Sequence, residues 1–305
     1  MNENVNYVPS SYNAMQLFVV LSYGLSIALF TFWRVYLKVR SKKLSIPADS
    51  TLFNVIMTSS MFIPLLSLYL LSLAYGQPQG FIGFVSKWLR ISPKSLLMFL
   101  LAPFPPIVAL IIYMEAMRAM DMIRVDALKQ ITGLDGFASA KALKILSMGY
   151  IAGVTINALL AACEEFGWRA YLMFSLAKYI GTSMSTVIVG TIWGLWHAPV
   201  IFSLKPLIEK NFPWMTLRLA LTNNVVSCTI LSYPLYLLLI SSDSILPPAS
   251  FHGTVNALWA IPQFVTKVSD ERKYRDIVKV ALVSLFAWGV AIIITVDIGE
   301  VTLAL

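Results

Sequence analysis

Charge is what this sequence has least of. Asp, Glu, Lys and Arg make up 12% of its 305 residues, about half the share of a soluble domain. Hydrophobic residues supply 58% and the mean hydropathy is +0.76, which excludes a soluble globular domain and implies a polytopic membrane protein. Cysteine is scarce too. Cys163 and Cys228 both lie in apolar surroundings, so no disulfide framework can be argued and both read as small buried hydrophobes. No polar stretch is long enough for a separate soluble domain, so residues 1–305 read as one membrane domain. The start lacks the basic region and short apolar core of a signal peptide. The net charge of +8 does not point to nucleic acid, because the basic residues fall in short loops between apolar segments. No repeat or low-complexity segment stands out.

What is present is a series of apolar segments, and an all-α bundle of about eight transmembrane helices is expected. The first is Ala14–Trp33, followed by Arg34, Lys38, Arg40, Lys42 and Lys43. The second lies within Thr51–Gly76. A stretch carrying Lys87, Arg90 and Lys94 is long enough to lie flat on the interface. The third, Ser95–Met114, must break or kink at Pro103, Pro105 and Pro106. Residues 115–144 form the longest polar connection, with a short amphipathic helix and a turn around Gly133–Gly136 expected there. The fourth segment starts near Ile145. The fifth is roughly Thr182–Phe202, the sixth Leu219–Ile240, the seventh Ile245–Val265 and the eighth Val280–Val296. With the amino terminus outside, 18 of the 23 Lys and Arg residues fall on the cytoplasmic side. The excess of positive charge inside then predicts both termini outside.

Against this apolar background a few polar residues stand out. Ile145–Cys163 is free of charge and ends in Glu164-Glu165-Phe166-Gly167-Trp168-Arg169. Ionisable residues at membrane depth are costly, so they mark a functional site by default. Glu165 and Arg169 are spaced to pair on one helix face, which leaves Glu164 without a local partner. The two histidines of the chain, His197 and His252, also lie in apolar segments. His252 and Asn256 share a helix face. At 1.5 Å per residue, Glu164 lies roughly 21 Å below Lys178, His197 about 22 Å below Thr182 and His252 about 12 Å below Ser244. All three depths fit one site near the middle or outer half of the bilayer core. The motif-bearing core is about 145–266.

These residue types suit peptide hydrolysis. Low-dielectric surroundings move a carboxyl group toward the range useful for a general base, and a neighbouring imidazole helps hold the attacking water. Glu164 with His197 fits that task. His252 with Asn256 supplies donors where negative charge develops on the tetrahedral intermediate. Glu165 and Arg169 hold the acidic turn.

At these residues the sequence resembles the CPBP (Abi) family of intramembrane proteases, which includes the Ras-converting CaaX prenyl endopeptidases. The family pattern is Glu-Glu-x-x-x-Arg, then Phe-x-x-x-His, then His-x-x-x-Asn or Asp, on successive transmembrane helices. Here the first is Glu164, Glu165 and Arg169, and the third is His252 and Asn256. The second is Trp193 and His197, with tryptophan in place of phenylalanine. The resemblance covers the fourth to the seventh segment. It implies an endopeptidase of about eight helices that cuts membrane-anchored or prenylated substrates near the carboxyl terminus, within the lipid bilayer of a plasma or internal membrane.

Glu164, His197 and His252 also read as ligands of a catalytic zinc, since two imidazoles and a carboxylate suit that ion. Such proteins are commonly called metalloproteases. The His-Glu-x-x-His spacing of soluble zinc proteases is absent, and the glutamate-dependent scheme is preferred. The alternative function is a non-catalytic binding or scaffold protein of the same fold. A secondary transporter with Glu164 as proton relay lacks the expected symmetry between halves.

Overall fold

A computed structural model describes residues 8–41, 51–133, 140–206, 208 and 214–301 of the chain. Residues 1–7, Lys42, Lys43, Asp135, Gly136 and Lys210 lie outside these. Among the described residues every regular element is helical, and one β-bridge joins Ile123 to Thr266. The all-α expectation holds.

Helix α1 (Tyr12–Ser41) is followed by α2 (Thr51–Met61) and α3 (Ile63–Ala74), which meet at a bend of 44°. Next come α4 (Pro78–Trp88), α5 (Pro93–Leu101) and α6 (Phe104–Ala119). Proline stands in the first turn of each of α3 to α6, where its missing N–H costs no helical hydrogen bond. Ser92 caps α5: its hydroxyl accepts from the Ser95 N–H at 3.0 Å, and the Ser95 hydroxyl accepts from the Ser92 N–H at 2.8 Å. The break expected at Pro103, Pro105 and Pro106 is narrow. It separates α5 from α6, yet Pro93–Ala119 is still a single apolar crossing of 27 residues. The amphipathic helix expected in the long polar connection is α7 (Val125–Thr132). It stops at Gly133, whose φ of 69° favours glycine.

The central element runs from α8 (Ala140–Gly153) through a 50° bend into α9 (Ile156–Glu165). It continues as a π-helical segment, Phe166–Met173, and closes with α10 (Phe174–Ile180). Trp168, Arg169, Tyr171 and Met173 of the π-helical segment are among the largest fully buried side chains described. Gly167 lets it nest. A β-carbon there would stand 2.6 Å from Pro64 Cβ and 2.9 Å from Phe18 Cζ. The chain then forms α11 (Thr182–Trp196), α12 (Ala198–Ser203), α13 (Leu217–Ser242), α14 (Leu246–Leu258), α15 (Ala260–Val265) and α16 (Lys273–Val301).

Five helices are long and apolar enough to cross a membrane, or up to seven if each of the two bent pairs is one crossing. The protein is therefore an integral, multi-pass membrane protein. The segment expected at Ile245–Val265 is formed by α14 and α15, of 13 and 6 residues, and is not among these five to seven candidates, so the structure gives up to seven of the eight expected crossings. Large apolar side chains such as Phe32, Met148, Leu159, Leu282 and Phe286 are exposed on outward faces, as lipid-facing helices require. Both cysteines are free and buried.

Glycine seams bring the polar helices together. On α8, Gly149 and Gly153 face α14, where β-carbons would collide with Leu258 and Thr254. On α14, a β-carbon at Gly253 would stand 2.7 Å from the Ala158 nitrogen of α9. On α11, β-carbons at Gly190 and Gly194 would each stand 2.5 Å from a backbone Cα of α13, at Thr229 and Val225. Without a hydrophobic drive between helices in lipid, such close approach is a main source of packing energy. It draws α14 against α8 and α9, and α11 against α13.

Candidate active site

Glu164 and Glu165 end α9 and are both buried, at 3% and 0% exposure. Arg169 lies one turn on, inside the π-helical segment, and is also 0% exposed. Its Nη1 donates to Glu165 Oε1 at 3.0 Å, so the pairing expected from the spacing is present. Its Nη2 donates to Ser232 Oγ of α13 at 3.4 Å. The guanidinium carbon stands 3.8 Å from the centre of the Trp193 ring. Arg169 is thus held by an acid, a hydroxyl and an aromatic face, while its Nε and Glu165 Oε2 are buried without a hydrogen-bond partner among the described residues.

The same Glu165 oxygen takes a second donor. His252, 4% exposed on α14, places Nδ1 2.7 Å from Glu165 Oε1. A carboxylate only accepts, so the Nδ1 proton points at Glu165 and Nε2 is left for other work. Asn157 of α9 donates to the Gly253 carbonyl at 3.2 Å. This locks α14 to α9 one residue from that histidine.

Glu164 has a different environment. Among the described residues it has no ion-pair partner. Its Oε2 accepts from the Trp193 indole N–H at 2.9 Å, a buried contact between α9 and α11. Trp193 is 2% exposed, and its ring meets His252 edge to face at 5.2 Å and His197 at 5.8 Å. His197, just past the end of α11, sets Nδ1 2.9 Å from the Trp193 carbonyl. A carbonyl cannot donate, so Nδ1 carries the proton and the neutral ring keeps a lone pair on Nε2. The Trp193–His197 backbone is fixed in turn. The Asn224 amide donates to the Gly194 carbonyl at 2.9 Å, the Tyr23 hydroxyl to the Ile192 carbonyl at 2.6 Å, and the Trp196 indole to the Ser22 carbonyl at 3.0 Å.

The structure thus brings Glu164, Glu165, Arg169, Trp193, His197 and His252 into one contiguous cluster. Asn256 follows His252 by one turn and is exposed. Among the described residues no hydrogen bond joins it to the cluster. His252 has Glu165 as its hydrogen-bond partner, a contact the sequence reading did not contain. The zinc reading of Glu164, His197 and His252 meets a geometric obstacle. Among the described residues, no group of three or more His, Cys, Asp or Glu side chains is placed to share a metal ion.

Four features escaped the sequence reading. The π-helical turn has no composition signal. Ser232 and Asn157 were legible only as generic polar residues in apolar helices. The spacings Gly149-x-x-x-Gly153 and Gly190-x-x-x-Gly194 were a usable signal for close helix contacts. The donor of Trp193 was visible in its departure from phenylalanine, since only tryptophan carries an N–H there.

Residues 145–258 match the family model described as type II CAAX prenyl endopeptidase Rce1-like. That region holds all three motifs. A shorter stretch of 44 residues is 41% identical to CAAX prenyl protease 2 of Methanococcus maripaludis. This match covers 14% of the present chain and 16% of that relative's length. Both similarities point to the family that the three motifs resemble.

Proposed function

We propose that this protein is an intramembrane endopeptidase, with Glu164 as the general base. One observation carries the reading: of two adjacent buried carboxylates, Glu165 takes both Arg169 and His252, while Glu164 takes, among the described residues, only a neutral indole donor. A buried carboxylate with no cation of its own has a large desolvation cost, which a purely structural role does not explain. The family match of residues 145–258 supports the same conclusion.

In the proposed reaction, Glu164 and the Nε2 lone pair of His197 hold a water. Glu164 takes its proton as the oxygen attacks the scissile carbonyl carbon. The carbonyl π electrons move onto oxygen, and the tetrahedral oxyanion is met by His252 in its imidazolium form, which donates from Nε2 while Nδ1 stays on Glu165. Asn256 is the candidate second donor. Collapse breaks the C–N bond, and the proton held by Glu164 passes to the leaving amine. Glu165 and Arg169 position His252 and Trp193. No step is assigned to zinc, since the three candidate ligands are not grouped to share one.

The proposed substrate is a membrane-anchored or prenylated peptide of CaaX type, cut near its carboxyl terminus, the bond coming to the site from within the bilayer. In the same reading α14 and α15 complete an eighth crossing, with both termini outside. The test uses purified protein in detergent with a farnesylated CaaX peptide and an unprenylated control. Mass analysis should show the loss of the terminal residues with the wild type and intact peptide with Glu164→Ala. Equal cleavage by both proteins would refute the role of Glu164. No cleavage by either, with function in cells surviving a Glu164/His197 double substitution, would favour a scaffold.

A further inference from the structure

Trp193 is the residue at which this chain departs from the pattern it otherwise keeps. A phenylalanine there would still offer a face to Arg169 and edges to both imidazoles. It would not offer a donor. What the indole adds is the 2.9 Å hydrogen bond to Glu164 Oε2, the one hydrogen bond to Glu164 among the described residues.

We propose that Trp193 is a positioning residue that clamps Glu164 Oε2 through its indole N–H and so leaves Oε1 as the oxygen that receives the proton of the attacking water. The inference rests on the reading of Glu164 as base. Three observations fix the clamp. The guanidinium of Arg169 lies 3.8 Å from the ring centre on one face, and withdrawing electron density from the indole makes its N–H a stronger donor. The rings of His252 and His197 lie with their centres 5.2 and 5.8 Å from that of Trp193, steeply inclined to it, so the indole has little freedom to turn. Gly194, the next residue, is pressed against Val225 of α13, which fixes the backbone from which the indole projects.

Trp193 also reaches the second member of the water-holding pair. Its carbonyl takes the Nδ1 proton of His197 at 2.9 Å and so presents the Nε2 lone pair. One residue therefore sets both partners of the water, the carboxylate by its side chain and the imidazole by its backbone. Trp193→Phe removes the first effect and keeps the second. It also keeps the ring for Arg169. The variant is expected to retain its fold and substrate affinity while losing turnover.

The experiment has two arms. In the first, kcat and KM are measured on the farnesylated peptide for wild type and Trp193→Phe at matched thermal stability. The expected result is a kcat lower by about tenfold or more, from losing a hydrogen bond to a charged group, with KM within about twofold. In the second arm, indole N–H resonances of the protein labelled with 15N-tryptophan are compared between wild type and Glu164→Ala. One of the 8 tryptophans in the sequence should shift, and the same resonance should vanish in Trp193→Phe. A wild-type kcat in Trp193→Phe overturns the positioning role, whatever the spectrum shows. An indole spectrum unchanged by Glu164→Ala overturns the clamp itself. If wild type cleaves no peptide, the protease reading fails on the first arm, and the spectrum still decides whether Trp193 holds Glu164.

Discussion

Replacing Gly194 by alanine tests how tightly the site depends on one helix contact. The new β-carbon would stand 2.5 Å from Val225 Cα and 3.2 Å from Val225 Cβ, where ordinary contact begins at 3.4 Å. The obstacle is backbone, so no side chain can swing aside. Helices α11 and α13 must separate by about 0.9 Å at that level. Separation stretches the 2.9 Å bond from Asn224 to the Gly194 carbonyl and moves Trp193 and His197, which flank the contact in sequence. Overpacking of this kind costs about 1–3 kcal/mol. A displacement near 1 Å at a catalytic group costs about a hundredfold in rate. Peptide turnover should therefore fall by roughly that factor, with a modest loss of thermal stability. Gly24→Ala and Gly289→Ala, where nothing lies within 4 Å of the new atom, serve as controls and should leave both quantities unchanged. Wild-type turnover in Gly194→Ala would refute the claim that this seam sets the position of Trp193 and His197.

Removing one partner of the buried ion pair should be costly for stability. Arg169→Met leaves Glu165 buried with His252 as its remaining partner, and a loss of about 3–5 kcal/mol is expected on titration with SDS from mixed micelles. Glu165→Met combined with Arg169→Met should cost less than Arg169→Met alone, because Glu165 is then no longer left buried without its arginine. Exhaustive chelation should leave peptide cleavage intact. Complete loss restored by zinc would reinstate Glu164, His197 and His252 as ligands, with rearrangement of the cluster.

How much of this was legible in the sequence can be judged residue by residue. Hydrophobic length placed the helices, since a bilayer sets their dimensions directly. The i, i+4 spacing gave the Glu165–Arg169 pair, which survives although its second member lies in a π-helical turn. That turn was not legible. A π-helical turn admits an extra residue into the helix, and here it lies where Gly167 and Trp168 pack against Pro64, Phe18 and Trp196, contacts between distant parts of the chain. The partner of His252 was also out of reach. Periodicity places Asn256 on the same face, but which group a ring nitrogen meets depends on a neighbouring helix, and α9 brings Glu165 to it. The seventh segment, Ile245–Val265, is helical as expected, but composition gives no sign of the hand-over at Trp259 between α14 and α15. Trp193 was read as an aromatic equivalent of phenylalanine, which holds for its ring and misses its N–H.

The division of labour between the two adjacent carboxylates is the central claim, and Glu164→Gln beside Glu165→Gln tests it most directly. Both variants are measured for unfolding in SDS and for turnover of the farnesylated peptide under conditions where each is fully folded. Glu164→Gln should be at least as stable as the wild type, since the desolvation cost of the carboxylate is removed, and show no turnover above background, because its amide can still accept from Trp193 but cannot take a proton from water. Glu165→Gln should be clearly less stable and should keep measurable turnover when folded. Turnover surviving in Glu164→Gln and abolished in folded Glu165→Gln would contradict the assignment and exchange the two roles.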